Sequence, residues 1–370
     1  MAYFFGRKLH QDLGVPVGLI NTSWGGTRAE AWTSREALEQ LPSARSLLTD
    51  WTQQTKTFNA AKAQADHEQQ QAVWKETVQK INDANAKLAA GATKAPLPAA
   101  PRPADDPAKT PHYPSVLFNQ MIAPLVPYAI KGAIWYQGES NQKRSVQYQE
   151  LLPTLINDWR ARWNSEFPFY IVQLAGFGNG HPVAAEAGVP DTWAELQEAQ
   201  MLTAITLPHC GVAVANDIGD QGNIHPKNKQ EVGRRLALWA LAKDYGKTEV
   251  ECSGPMYKSS KVEGKKVRLQ FSHAKGLKTR DGGELQTFQI AGADQKWQWA
   301  KAKIEGNEVV VWADNVTKPV GVRYAWAAWS PGANLVNAAG LPASCFRTDE
   351  FLLSTMGAVS PFAESVPVRK

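Results

Sequence analysis

The chain has 370 residues, room for one large α/β domain or a domain with a smaller appendage. Its 40 basic and 35 acidic residues are interspersed, with no clustered basic face, so a nucleic-acid partner is not expected. No apolar run reaches the length of a membrane span, and Met1-Ala2-Tyr3 leads straight into a structural pattern with no signal peptide visible in this chain. The three cysteines, Cys210, Cys252 and Cys345, are far apart and form no C-x-x-C pair, so no metal is expected.

In chain order, residues 2–13 read as a helix, with Phe5, Leu9 and Leu13 at four-residue spacing and Gly14 as its stop. Residues 15–22 (VPVGLINT) read as a buried strand running into a Ser-Trp-Gly-Gly-Thr turn. An open α/β domain that begins on a helix implies a strand missing ahead of it. The strand at 15–22 would then be an edge, open to another chain in an oligomer. Residues 45–95, rich in Ala, Gln and Lys, read as a polar helix or helical hairpin. Six prolines within 96–111 then read as an extended linker, making 45–111 an insertion.

An α/β rhythm follows. Residues 116–125 read as a short helix, 129–137 as a strand, 145–163 as a helix, 167–174 as a strand, 192–206 as a helix and 210–216 as a strand. A helix over 226–245 places Pro226 at its first position. The fold expected is a parallel sheet flanked by helices over 1–248, with a small antiparallel β region over 249–370. KKVRLQF, LQTFQIAG, NEVVVWAD and VGVRYAW are its candidate strands.

Sites in open α/β sheets form at the C-terminal ends of strands, and three unusual segments fall there. The adjacent glycines Gly25 and Gly26 let backbone N–H groups approach a substrate oxygen; a plain tight turn is the competing reading. In Trp135-Tyr136-Gln137-Gly138-Glu139-Ser140-Asn141, side-chain amides could complete an oxyanion hole or merely cap a helix. In the loop 217–226, His225 follows Asp217 and Asp220 by eight and five residues, a pattern suited to a general base oriented by a carboxylate. The 14 tryptophans also raise sugar stacking, with Trp24, Trp32, Trp135 and Tyr136 nearest the strand ends. No G-x-G-x-x-G follows any expected strand, which removes a dinucleotide site.

The segments VPVGLINTSWGGTRAEAWTS, GAIWYQGESN, FPFYIVQLAGF, WAELQEAQ, DIGDQGNIHPKNKQEVGRRLALWAL and LPASCFRTD resemble the sialate O-acetylesterase-like proteins of the SGNH hydrolase superfamily. The resemblance implies an SGNH-type parallel sheet and serine-dependent hydrolysis of acetyl esters on sialate- or xylan-type carbohydrates. It implies no metal, no cofactor, and a periplasmic or secreted setting. It assigns His225 as the catalytic histidine, Gly25-Gly26 as the backbone oxyanion turn, and Gln137 and Asn141 as side-chain donors, Gln137 preferred. The superfamily's acid often stands three residues before the histidine, where this chain has Gly222, which leaves Asp217 or Asp220 to orient His225, or a Ser–His dyad. The family's serine lies in a Gly-Gln-Ser-Asn-Met type segment that does not occur in these 370 residues. A non-catalytic carbohydrate-binding protein that keeps the cleft, with Trp24 at its rim, is the alternative.

Overall fold

The computed structural model describes residues 1–89, 93–178 and 187–362. Helix α1 (Ala2–Leu13) ends where expected, on Gly14, whose left-handed φ of 68° lets its N–H return to His10 O. Residues 15–22 do not form the expected strand. They run as extended chain with Val15, Leu19 and Ile20 exposed. Among the described residues no neighbouring backbone pairs with this segment, and apolar alternation alone does not make a strand without a ladder. Short helix α2 (Arg35–Gln40) is capped by the Ser34 hydroxyl.

Helices α3 (Arg45–Thr57) and α4 (Ala60–Ala86) form the polar insertion. No residue of α4 is buried, so the helix rests on the propensity of its Ala, Gln, Lys and Glu residues and on its Asn59 cap. The proline-rich return is strapped to it. Trp74 Nε1 donates to Pro98 O at 2.8 Å, and Asn85 exchanges two bonds with the Ala95 backbone at 2.8 and 3.0 Å. Residues 90–92 of this insertion lie outside the described residues. The helix expected over 116–125 is a pair of short turns, Phe118–Ile122 and Ala123–Leu125, the second carrying Pro124 at its start, where proline is tolerated.

The central sheet has three parallel strands in the order β1 (Ala133–Trp135), β2 (Phe169–Val172), β3 (Cys210–Ala213). Ile134 stands beside Tyr170, and Tyr170 beside Gly211. Helices α5 (Ser145–Trp163), α6 (Thr192–Thr206) and α7 (Lys229–Lys243) connect and follow them. Helix α7 begins three residues later than Pro226 suggests, because the Asn228 side chain caps it by accepting from Glu231 N.

Strand β2 shows how the sheet is sandwiched. Phe169 and Ile171 face a core shared with Trp32, Trp135, Trp159, Leu152 and Leu196. Tyr170 and Val172 face the opposite core, with Leu9, Leu236 and Trp239. On that second face α1 lies directly against α7 at Gly233. A β-carbon there would sit 2.6 Å from Phe4 Cβ, 2.7 Å from Phe5 N and 2.9 Å from Met1 O. Two of those neighbours are backbone atoms, which cannot swing aside. Gly233→Ala should therefore destabilise the protein by about 1–3 kcal/mol. A thermal midpoint equal to that of the parent would show that the helices can separate at no cost.

From residue 256 the chain is antiparallel. The strands are β4 (Met256–Glu263), β5 (Lys266–Ser272), β6 (Lys278–Thr279), β7 (Phe288–Ala291), β8 (Gln298–Trp299), β9 (Lys301–Glu305), β10 (Glu308–Trp312), β11 (Gly321–Tyr324), β12 (Leu335–Val336) and β13 (Phe346–Arg347). They form sheets ordered β4-β5-β10-β9 and β13-β11-β7-β8, with β12-β6 as a separate pair. Val267, Leu269, Phe271, Val309 and Val311 of one sheet share a core with Phe288, Ile290, Val322, Tyr324 and Phe346 of the other. This region is fused to the α/β layer. Gln173 Nε2 donates to Ser344 Oγ (2.7 Å), Asn216 Nδ2 to Ala343 O (3.0 Å) and Phe177 N to Ala328 O (2.8 Å).

Candidate active site

Two turns more than a hundred residues apart interlock beyond β1. Gly26 takes a φ of 76°, and the Thr27 hydroxyl closes the turn by donating to Trp24 O at 2.7 Å. The Ser140 hydroxyl donates to Gly26 O at 2.6 Å. Gln137 Nε2 donates to Thr27 O (3.1 Å) and to Asn141 Oδ1 (2.7 Å), and Asn141 Oδ1 also accepts Ala29 N (3.0 Å). Between them Gly138 has a φ of 152°, and a β-carbon there would meet Leu196 Cδ2 at 2.5 Å, so this bend requires glycine.

The amide of Gln137 is therefore committed. It has two N–H bonds and both are used, while its Oε1 accepts from Tyr148 at 2.8 Å. Gln137 and Asn141 are 7% and 1% exposed, so they act as ties between the turns. Beneath them Asn141 Nδ2 donates to Glu30 Oε2 at 2.9 Å, and Glu30 pairs with Arg144 at 2.6 Å, fully buried. Gly25 and Gly26 are different. Both are exposed, a β-carbon at either would meet nothing, and among the described residues their N–H groups have no protein acceptor.

His225 sits in an exposed loop, its own N–H bonded to Asn223 Oδ1 at 2.8 Å. The two aspartates expected beside it are engaged elsewhere. Asp217 accepts both arms of the Arg235 guanidinium at 2.6 and 2.8 Å, with Arg280 at 3.4 Å. Asp220 Oδ1 accepts Gly222 N at 3.0 Å within its own turn. Among the described residues neither carboxylate bonds the His225 ring.

A carboxylate that feels the charge of His225 is Glu139, in the bend between Gly138 and Ser140. Burial pushes its carboxyl above the usual range, while the nearby charges of His225 and Lys229 pull it back. Lys229 in turn is lowered by burial and raised by Glu139, and its ammonium lies 4.6 Å over the Tyr136 ring. Sequence reasoning passed over Glu139 because the eye goes to acids near the histidine in sequence. The available signal was an acid at a strand end inside the same polar segment.

Of the aromatic residues expected near the cleft, Trp24 is 54% exposed and stands beside the Gly25 turn. Trp32 and Trp135 are instead core residues, packed edge to face at 6.0 Å, with Trp159 completing the cluster. The described cysteines offer no nucleophile. Burial pushes the Cys210 thiol up to about 11 and Cys345 higher still.

The sheet is covered by helices on both faces, and this cluster lies beyond its strand ends, where the sites of open α/β folds form. Residues 108–242 match the profile of a family described as carbohydrate esterase, sialic acid-specific acetylesterase. The sialate O-acetylesterase of Rattus norvegicus is 28% identical over 350 residues, covering 89% of this chain and 59% of its own length. That of Homo sapiens is 27% identical, covering 89% and 56%. The crystal structure of a carbohydrate acetylesterase from Xanthomonas citri superposes with a TM-score of 0.72 at 34% identity, covering 94% of this chain and 65% of that one. The chain is thus similar over most of its length to sialate O-acetylesterases and to a carbohydrate acetylesterase, and it spans less than two thirds of the length of these relatives.

Proposed function

We propose that this chain carries the base and the oxyanion turn of a carbohydrate O-acetylesterase. The observation that supports the reading is the interlock of the Gly25-Gly26 turn with the Gln137–Asn141 bend, whose Glu139 feels the charge of His225. In the proposed reaction His225 withdraws a proton from the attacking oxygen and Glu139 stabilises the imidazolium that results. The N–H groups of Gly25 and Gly26 receive the oxyanion, and Trp24 offers a face to the sugar ring. Gln137 and Asn141 hold the turn in place, and Asp217 and Asp220 shape the His225 loop. A periplasmic or secreted setting, implied by the resemblance, belongs to the same proposal. Among the described residues no helix is long and apolar enough to cross a membrane.

Neither serine of the interlocked turns is assigned as nucleophile. The Ser140 hydroxyl holds Gly26 O, and the Ser23 hydroxyl donates to Asn21 Oδ1 at 2.9 Å. The chain is therefore expected to release acetate from p-nitrophenyl acetate and acetylated xylan slowly, with His225 activating water. Ser23→Ala should leave that rate unchanged. Robust turnover abolished by Ser23→Ala would reassign the nucleophile. Binding of acetylated xylan with no acetate released would favour the second reading, a carbohydrate-binding protein, which the exposure of Trp24 supports.

A further inference from the structure

Away from this cleft, a second group of reactive side chains gathers where the α/β layer meets the β region. Glu251 and Cys252 lie on the segment entering β4, and His273 follows β5 directly. Because Met256 pairs with Ser272, the hairpin brings those flanking residues together across 22 positions of sequence. One ligand atom from each of Glu251, Cys252 and His273 lies within 4.8 Å of the others. His273 Nδ1 and Glu251 Oε1 are 2.5 Å apart.

The frame around these three residues is fixed. His273 holds a left-handed φ of 54°, a strained choice for a residue with a β-carbon. The buried Asn337 amide donates to Ser253 O at 2.8 Å and to His273 O at 3.1 Å, locking the two backbones to each other. The Trp239 ring stands edge-on to the imidazole at 6.1 Å. Cys252 is buried while Glu251 and His273 are half-buried.

We infer that Glu251, Cys252 and His273 form a zinc site. Thiolate, imidazole and carboxylate are the donor types zinc takes. Tetrahedral zinc with bonds of about 2.0–2.3 Å needs donors about 3.3–3.8 Å apart, within reach of small rotations here. A thiolate and an imidazole select against calcium and magnesium, which take oxygen ligands. One thiolate and one carboxylate also neutralise a divalent ion in a half-buried place. Water completes the fourth position. Zinc takes the thiolate, so the Cys252 proton leaves to solvent on binding. The ion would staple the segment entering β4 to the residue that follows β5.

The test uses the full chain, free of any affinity tag, titrated with cobalt(II) as a spectroscopic stand-in and with zinc. One ion per chain should bind, with a thiolate-to-cobalt charge-transfer band in the near ultraviolet. Cys252→Ser and His273→Ala should each remove the band and weaken binding by about 100-fold or more, beyond the 10–100-fold loss typical of outer-shell changes. At zinc about 100-fold above its dissociation constant, the thermal midpoint should rise in the parent and not in His273→Ala. His273 is half-buried, so that variant remains informative if the buried Cys252 position tolerates no change. Saturation with cobalt without a thiolate band overturns the assignment, as does equal zinc affinity in the parent and His273→Ala.

Discussion

Replacing Arg144 with methionine should lower the free energy of unfolding by about 3–5 kcal/mol, the usual cost of stranding one member of a buried ion pair. Glu30 has no contact with solvent, and its charge is held by Arg144 at 2.6 Å and by the Asn141 amide. Burial opposes that charge, but Arg144 and then Asn141 outweigh it, and the Glu30 carboxyl lies below its ordinary range. A depressed carboxyl contributes stability that is present above its unfolded value and is lost as pH falls through its lower folded value. Without Arg144 the burial effect wins and the folded carboxyl rises above its unfolded value, which reverses the sign. The stability gap between parent and variant should then narrow as pH is lowered from 7 toward about 4, where an unfolded glutamate takes up its proton. Denaturant unfolding at several pH values measures this directly. A gap that stays constant with pH would mean that Glu30 is not the group left uncompensated. Glu30→Gln combined with Arg144→Met should recover most of the loss. The same pair steadies Asn141, and through it Gln137 and Ala29, so the site should loosen along with the fold.

His225→Ala should reduce kcat/KM for acetyl ester hydrolysis by about 10²–10⁴, the range a positioned general base supplies. Glu139→Gln should cost less, because the imidazole remains. Its diagnostic effect is on pH dependence. Burial lifts the Glu139 carboxyl above the ordinary range against the pull of His225 and Lys229. On acidification Glu139 takes up its proton earlier than an ordinary carboxylate. The acidic limb of the parent's profile should carry a contribution from Glu139 that the profile of Glu139→Gln lacks. Asp217→Asn, by contrast, breaks the pair with Arg235 and should act on stability, with the shape of the profile unchanged. A profile altered by Asp217→Asn and indifferent to Glu139→Gln would return the orienting role to the aspartate.

Helices α1, α5 and α6 were legible to the residue, because periodic apolar positions and their stops coincide. Gly14 ends α1, and Asp191 accepts from Trp193 N and Ala194 N to begin α6. Of the antiparallel strands, β5, β7, β10 and β11 were legible, β5 by the alternation at Val267, Leu269 and Phe271. The segment 15–22 misled because its composition is that of a buried strand, while pairing depends on a neighbour that local sequence does not report. The site was legible as three segments, not as a geometry. Gln137 reads as a donor by residue type, and only the contacts with Thr27 and Asn141 show that its hydrogens are spent. Asp217 reads as the partner of His225 by proximity in sequence, and only the fold brings Arg235 to it.

Asp191 has a consequence for how the molecule comes apart. One of its oxygens begins α6, while the other accepts Ala328 N at 2.7 Å from the β region. A single carboxylate thus belongs to two halves of the chain at once. Melting either half strips it of a partner the other half cannot replace, so the penalty for partial unfolding falls on both. The chain gains cooperativity from this sharing and gives up modularity. A different β region could be exchanged onto this α/β layer in evolution only if it returned a backbone N–H to the same oxygen.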